Sequence, residues 1–310
     1  MATEEHGRAW AWTTACSYAA ANVMMRAAAL SVDGLLGSLL RLVPVALTGW
    51  VTVATRRTGR RREADKRGAV GGTELLWLLV GGAVSYALGA ILSFRALAIG
   101  GLAIAVNASQ AGIVWGGILL GALLLSEPPR RGQVVGCVLI ALGLVAIGAS
   151  QIGTRSFALD AVLLAIAAGV CYAVQNVAVR RVQRDQAAVD AVVAVAATGG
   201  AIPLIAIVAG RAFLDPTGVL AGTSLFDVGV TLGAGFANML AVVATAFAVR
   251  TQSVATVNAI GSAQVVLSAV AAAAFFGENL PPLLLLGSAG LILGIVVSEV
   301  DCHLLDLPAT

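Results

Sequence analysis

Long apolar stretches that carry almost no charge dominate this sequence. Residues 75–125 contain one charged side chain, Arg95, and residues 134–150 and 230–249 contain none. Over the whole chain 11% of the residues are charged and the mean hydropathy is +0.94, whereas about a quarter of the residues of a soluble protein are charged. A soluble core has no room for so much apolar surface, and the pattern therefore predicts a membrane protein.

The apolar stretches have the length of membrane-spanning helices. A span needs about 20 mainly apolar residues, and it is helical because lipid offers the backbone no hydrogen-bond partner. The sequence thus predicts an all-α protein with ten transmembrane helices, near residues 10–28, 34–55, 74–98, 102–125, 132–150, 159–181, 188–210, 226–249, 253–276 and 283–299. The first stretch lacks the pattern of a cleavage site, and we expect it to stay as an anchor.

The basic residues predict how the helices are oriented, because short loops rich in arginine and lysine favour the cytoplasmic side. With the N-terminus inside, 14 of the 19 basic residues fall in cytoplasmic segments, and seven of them lie between Arg56 and Arg67. That segment is expected to meet lipid head groups rather than nucleic acid. An even number of spans returns the C-terminus to the same side, so we predict a multi-pass protein of the cytoplasmic (inner) membrane with both termini inside.

One motif occurs twice in the chain. The run Tyr18-Ala19-x-x-Asn22-Val23-x-x-Arg26 recurs 154 residues later as Tyr172-Ala173-x-x-Asn176-Val177-x-x-Arg180. A second set recurs after 151 residues: Val106-Asn107-Ala108 matches Val257-Asn258-Ala259, Glu127 matches Glu278, Gly136 matches Gly287 and Gly143 matches Gly294. Chance likeness between helices rich in alanine, valine and glycine explains the apolar matches but not the paired tyrosine, asparagine, arginine and glutamate.

These matches predict two five-helix repeats, residues 1–153 and 154–310, that form one transmembrane domain. Because five is odd, the second repeat must enter the membrane from the opposite face, which gives an inverted pair. Two such halves can open a shared central cavity first to one side of the membrane and then to the other. The architecture therefore indicates transport.

Further residues follow the pattern of a known family. The first span carries a tyrosine, and the second has Arg41 and Pro44 early in its length. The run Ser93-Phe94-Arg95-Ala96-Leu97-Ala98 enters a fourth span of small residues, and Glu127 precedes Gly132-x-x-x-Gly136 and Gly143. In these features the chain resembles the EamA-type permeases of the drug/metabolite transporter superfamily over essentially its whole length. The resemblance implies ten helices in two inverted halves around a central cavity, and transport of amino acids or other small metabolites. One departure is that residues 106–125 lack the proline that the family often has in the fourth helix.

Polar side chains toward the middle of apolar spans are the candidates for a substrate site, since they need partners or water there. Tyr18 and Asn22 share one helix face, as do Tyr172 and Asn176. The predicted cavity residues are Tyr18, Asn22, Arg41, Tyr86, Arg95, Asn107, Gln110, Tyr172, Gln175, Asn176, Asn238, Asn258, Ser262 and Gln264. The alternative for each is a hydrogen bond between helices, worth about 0.6 kcal/mol.

Several charged residues and prolines allow two interpretations each. Arg41 and Arg95 could extend to the lipid head groups, or they could face the cavity and hold a substrate carboxylate. Glu127 and Glu278 are expected to be interfacial loop acids, with a gating role as the alternative. Pro44 and Pro203, at similar places in the two halves, predict kinks that are either static or hinges.

We predict a secondary transporter that works by alternating access on a small metabolite, most simply an amino acid or a related organic solute. The alternatives are a cation channel or permease of the same superfamily, which should show a ring of carboxylates, and a membrane-embedded enzyme. An enzyme is disfavoured because the only histidines, His6 and His303, lie near the ends of the chain. No Walker A motif is present, which disfavours direct coupling to ATP hydrolysis.

The expected partners are the small-molecule substrate and the lipid bilayer, without nucleic acid, for a protein that is a monomer or a homodimer. Glycines spaced by four, Gly117 with Gly121 and Gly132 with Gly136, are expected to pack helices within one chain rather than between two. The four cysteines show no paired spacing, and we predict no disulfide, no metal site and no cofactor.

Overall fold

The computed structural model describes residues 2–58, 71–126, 129, 131–150, 158–183, 189–215, 218, 222–248 and 260–299. Every regular element in these ranges is helical. The helices are α1 (Ala2–Ala28), α2 (Gly34–Thr58), α3 (Gly72–Gly82), a π-helical segment (Ala83–Gly89), α4 (Ala90–Leu125), α5 (Arg131–Ala149), α6 (Ala158–Gln183), α7 (Val189–Leu214), α8 (Leu225–Ala248), α9 (Ala263–Phe276) and α10 (Pro282–Glu299).

Within the described residues, five helical segments are long and apolar enough to cross a membrane. They are Gly34–Thr55, Gly72–Leu125, Leu159–Val182, Asp190–Leu214 and Leu225–Thr245, and three shorter apolar helices are Arg131–Ile147, Ala263–Phe276 and Pro282–Val297. The predicted class, a helical membrane protein, is therefore confirmed. The count of ten spans and their inverted arrangement stay predictions, and the start of the predicted ninth span, residues 253–259, lies outside the described residues.

The segment Gly72–Leu125 is too long for a single crossing. Its 54 residues would extend about 80 Å at 1.5 Å per residue, whereas the hydrocarbon core of a bilayer is about 30 Å thick. The backbone leaves the helical conformation at Gly101, where φ is 80° and ψ is 178°. This break separates the predicted third span from the predicted fourth, which begins at residue 102.

Helices α4 and α6 pack backbone to backbone through glycines. A Cβ atom at Gly112 would overlap the Ile166 carbonyl oxygen, and one at Gly169 would overlap the Ser109 carbonyl oxygen. Small residues of this kind let membrane helices approach closely where the hydrophobic effect does not drive association. The contact brings α6, from the second predicted repeat, against the centre of the first.

Helices α5 and α10 meet through a reciprocal pair of glycine contacts. A Cβ atom on Gly143 would lie 2.6 Å from the Gly287 carbonyl oxygen, and one on Gly294 would lie 2.7 Å from the Gly136 carbonyl oxygen. Gly136 corresponds to Gly287 in the sequence repeat, and Gly143 corresponds to Gly294. The contact of Gly143 with Gly287 is therefore repeated by the contact of their counterparts, Gly294 and Gly136, as in an interface formed around a two-fold axis. This packing lies within one chain.

Candidate functional site

A small cavity lies between α2, α8 and the π-helical segment. It is lined by Ser38, Arg41, Leu42, Tyr86, Ala90 and Asn238. About 200 Å³ of empty space lies between these atoms, part of it open to solvent, but a whole molecule of only about the size of one water can enter. The lining combines residues of the first half of the chain with Asn238 from the second.

Arg41 provides the charge of this cavity. Its Nη2 donates a hydrogen bond to Asn238 Oδ1 at 3.3 Å, and its Nη1 lies 3.0 Å from Met25 Sδ. Both partners are uncharged, and no carboxylate in the described part of the chain pairs with Arg41. A partly buried guanidinium without a counter-ion leaves a positive charge that the protein does not neutralise locally.

The local fold explains how Arg41 and Asn238 come together. A Cβ atom on Gly235 would lie 2.5 Å from the Arg41 carbonyl oxygen and 2.9 Å from Pro44 Cδ, so α8 touches the backbone of α2 there. Asn238 lies three residues after Gly235 and therefore on the same helix face. Only 5% of Asn238 is exposed, and its side chain is directed at Arg41.

Three tyrosines lie near one another, and two of them, Tyr18 and Tyr86, lie near Arg41. Tyr18 of α1 and Tyr86 of the π-helical segment lie within electrostatic range of Arg41 and of Tyr172 from α6. π-Helical turns are often found at functional sites, and here Gly89, at the end of the segment, lets it pack against Tyr172. The cluster therefore draws on helices of both halves of the chain.

Two polar atoms at this cluster are buried without a partner among the residues that the structure describes. They are the Tyr172 hydroxyl and the Oε1 atom of Gln175, and Gln175 also lies against the Tyr86 hydroxyl. Buried polar atoms are hydrogen-bonded in most native structures, so an unpaired one calls for a missing partner such as a water molecule or a ligand.

The structure thus brings together six of the residues that the sequence analysis proposed for a cavity: Tyr18, Arg41, Tyr86, Tyr172, Gln175 and Asn238. It also adds Ser38 and Leu42, which the sequence did not single out. Their signal was only positional, since both lie within one turn of Arg41 on α2. A cavity role for the group stays a prediction.

The other candidates lie elsewhere. Asn107 is fully buried and its Nδ2 donates to the Ala103 carbonyl oxygen at 2.6 Å. Arg95 is exposed between the buried Phe94 and Ala96, as expected if it extends toward head groups. Asn22, Gln110 and Gln264 are partly buried, Ser262 is buried, and Asn176 is exposed one turn after Tyr172 on the same face of α6. Asn258 lies outside the described residues.

A second polar site lies at the end of α1. Arg26 Nε donates to Glu278 Oε1 at 3.1 Å, and Arg26 Nη1 donates to the Leu97 carbonyl oxygen at 2.9 Å. The two charged side chains are 13% and 16% exposed, and the Arg26 guanidinium lies 5.7 Å from the ring centre of Phe276. The pair links α1 to the segment that follows α9.

Glu278 also caps the helix that resumes after the break at Gly101. Its Oε1 accepts the Leu102 backbone N–H at 2.8 Å and its Oε2 accepts the Ala103 backbone N–H at 3.1 Å. A carboxylate is favoured at a helix N-terminus, where the N–H groups lack partners within the helix. Glu278 is therefore held in the protein at this site, rather than being a solvated loop acid as the sequence suggested. Its counterpart Glu127 lies outside the described residues.

The fold has known relatives. One solved crystal structure of a protein matches with a TM-score of 0.59 at 18% identity, covering 95% of this chain and 96% of that chain, a likeness that shows the fold alone. No curated protein matches the chain.

The long apolar helices define a multi-pass helical membrane protein. Residues 159–299 match the model of the EamA-like transporter family, which is a family of the drug/metabolite transporter superfamily. The family expected from the sequence is thus confirmed, and it points to a transporter rather than an enzyme.

Proposed function

We propose that this protein is a secondary transporter that carries a small metabolite, an amino acid or a related organic solute, across the cytoplasmic membrane. The match of residues 159–299 to the EamA-like transporter family supports the class. The observation that carries the proposal is the cluster around Arg41, where polar residues of both halves of the chain meet at a small cavity.

The same proposal includes ten spans in two inverted repeats, residues 1–153 and 154–310. The reciprocal contacts of Gly143 with Gly287 and of Gly136 with Gly294 support it, because they relate the last helix of each repeat by a local two-fold axis. Two halves related in this way can exchange conformations and so expose one central site alternately to the two sides.

Alternating access requires that one end of the bundle close while the other opens. The Arg26 end is held by the pair with Glu278 and by the amides that Glu278 caps. Toward the opposite end of α6, Asn176 is exposed on the face that carries Tyr172. With the N-terminus in the cytoplasm, the Arg26 end faces outward, and we assign the structure to a state that is closed on the outside.

Reconstituted liposomes test this function. We expect saturable counterflow of at least one solute from a panel of amino acids and small organic acids. Replacement Arg41→Gln should abolish most of it, and the matched control Arg95→Gln, at an exposed arginine, should retain it. Folded protein that moves no member of the panel would contradict the proposal.

A further inference from the structure

We propose that the start of α3 and the end of α6 form a binding site for an anionic phospholipid. Arg181 binds the phosphate of the head group, and an acyl chain lies along α3. The site is separate from the residues that line the cavity around Arg41, and its occupation by a lipid does not depend on the transport function proposed above.

Close helix packing brings Trp77 and Arg181 together. A Cβ atom on Gly81 would lie 2.9 Å from the Cβ atom of Ala178, and the π-helical segment reaches Cys171 at its end, so this part of the chain runs antiparallel to α6. Trp77 lies one turn before Gly81, and Arg181 lies one turn after Ala178, which places their side chains opposite each other. The Arg181 guanidinium carbon lies 5.0 Å from the centre of the Trp77 ring, as in a cation–π interaction.

An apolar cluster holds this pair in place. Leu78 and Val182, which follow Trp77 and Arg181 in the chain, are fully buried and pack with Val192 of α7. The backbone that carries the pair is therefore fixed by contacts among three helices. Because the stack has already restricted the arginine side chain, a ligand that binds the guanidinium has less conformational entropy to overcome.

Arg181 has donors available for a phosphate. A guanidinium carries five N–H donors in its plane, and stacking on an indole ring uses the face of the group and not its edge. Within the part of the chain that the structure describes, Arg181 forms no ion pair and no hydrogen bond. The forked edge of the guanidinium matches two oxygens of a phosphodiester, which it can bind through parallel charge-assisted hydrogen bonds.

The local charge favours a head group with a net negative charge. Helix α6 ends with Arg180 and Arg181, whereas the first turn of α3 carries one acid, Glu74. A zwitterionic head group would bring its own ammonium group, and Arg181 already occupies a face of the Trp77 ring on which that ammonium could lie. An anionic head group brings a phosphate without this added cation, and basic residues at the membrane surface attract it.

Apolar surface beside the pair indicates a lipid rather than a soluble phosphate. Leu76 and Val80 lie on one face of α3 and are 61% and 49% exposed. Tryptophan is enriched at the boundary between membrane and water, where its ring lies at the level of the head groups. A head group at Arg181 therefore places its acyl chains beside Leu76 and Val80. In the predicted topology this is the cytoplasmic leaflet.

Lipid binding to the full-length protein tests the inference. Delipidated protein in detergent is given equal amounts of phosphatidylglycerol and phosphatidylcholine, and the bound lipids are counted by native mass spectrometry. We expect phosphatidylglycerol to bind about fivefold to tenfold more tightly, which is the effect of one arginine at a membrane surface. Glycerol phosphate serves as the free head group and should not displace the lipid. Displacement at equal concentration would assign the site to a soluble phosphate and overturn the inference.

Variants assign the lipid preference to this pair of side chains. Arg181→Gln should remove most of the preference, Trp77→Leu should weaken it because the guanidinium loses its stack, and Trp77→Phe should keep part of it. The matched control Arg95→Gln, at an exposed arginine of α4, should leave it unchanged. Equal binding of the two lipids by the unaltered protein overturns the inference, as does a preference that survives in Arg181→Gln or falls as far in Arg95→Gln. If Arg181→Gln does not fold, Trp77→Leu decides, and an unchanged preference there overturns the site.

Discussion

Arg26 and Glu278 are 252 positions apart in the chain, and their side chains form an ion pair with an N–O distance of 3.1 Å. The same carboxylate accepts the amides of Leu102 and Ala103, so one acidic group holds α1, the helix after Gly101 and the segment after α9 together. The pair is 13% and 16% exposed, which reduces the screening of its attraction by solvent.

Replacement Glu278→Gln should lower the melting temperature of the protein, because Arg26 loses its counter-ion and the glutamine has a single acceptor oxygen for the two capped amides. We expect a loss of about 1–3 kcal/mol of stability. The matched control is Asp33→Asn, which breaks the pair of Asp33 with Arg211 at 3.1 Å, where the two side chains are 28% and 47% exposed. Exposed pairs contribute about 0–1 kcal/mol, so a larger effect in the control than in Glu278→Gln would contradict the account of the site.

Opening of the Arg26 end should accompany the loss of the ion pair. A cysteine placed at Leu97, whose carbonyl oxygen accepts from Arg26 and which is 2% exposed, should react slowly with a membrane-impermeant maleimide added from outside. In the Glu278→Gln background we expect a faster reaction. An unchanged rate would argue that the pair stabilises the bundle without closing it.

Replacement Gly101→Ala should destabilise the protein by about 1–2 kcal/mol or more, because residues other than glycine are strained at positive φ. The new Cβ atom would also lie 2.5 Å from Glu278 Oε1. The control is Gly117→Ala in the same helix, where the added methyl group meets nothing within 4 Å. Alanine is favoured over glycine in a helix by about 0.5–1 kcal/mol, so the control should be neutral or slightly stabilising in thermal unfolding.

Replacement Tyr172→Phe should separate function from folding. The Tyr172 hydroxyl is buried and has no partner within the described part of the chain, so its removal costs this part no hydrogen bond and should leave the melting temperature unchanged or slightly raised. If the hydroxyl contacts the solute, the apparent affinity in counterflow falls by about fivefold to tenfold, the loss of one neutral hydrogen bond. A drop in stability with unchanged affinity would assign the hydroxyl a structural role instead.

The helices of this protein could be predicted because each contains an apolar run of spanning length with little or no charge. The charge-free run from residue 102 to residue 125 was proposed as one span, and the structure has a helix that resumes after Gly101 and ends at Leu125. The sequence did not reveal how short the connection between the two spans is. A single non-helical residue, Gly101, interrupts an otherwise continuous helix. Two adjacent glycines indicate a loop of unknown length, and only tertiary contact with Glu278 fixes the break.

The candidate site could be predicted in part for a similar reason. Tyr18, Tyr86 and Tyr172 stood out because a polar group within an apolar helix needs a partner. The face on which Arg41 lies was not evident, since an arginine near a helix end either extends to head groups or turns inward. That choice depends on Gly235, which lets α8 contact α2 and brings Asn238 to the guanidinium, a relationship between residues almost 200 positions apart.

The reciprocal glycine contact between α5 and α10 has a consequence for how such a chain can arise. Gly143 meets Gly287, and their counterparts Gly294 and Gly136 meet in the same way. The two helices therefore contribute the same surface to the interface. A gene for a single five-helix unit, inserted into the bilayer in both orientations, would already encode both sides of this seam. Fusion of two copies then requires a connecting segment but no new interface.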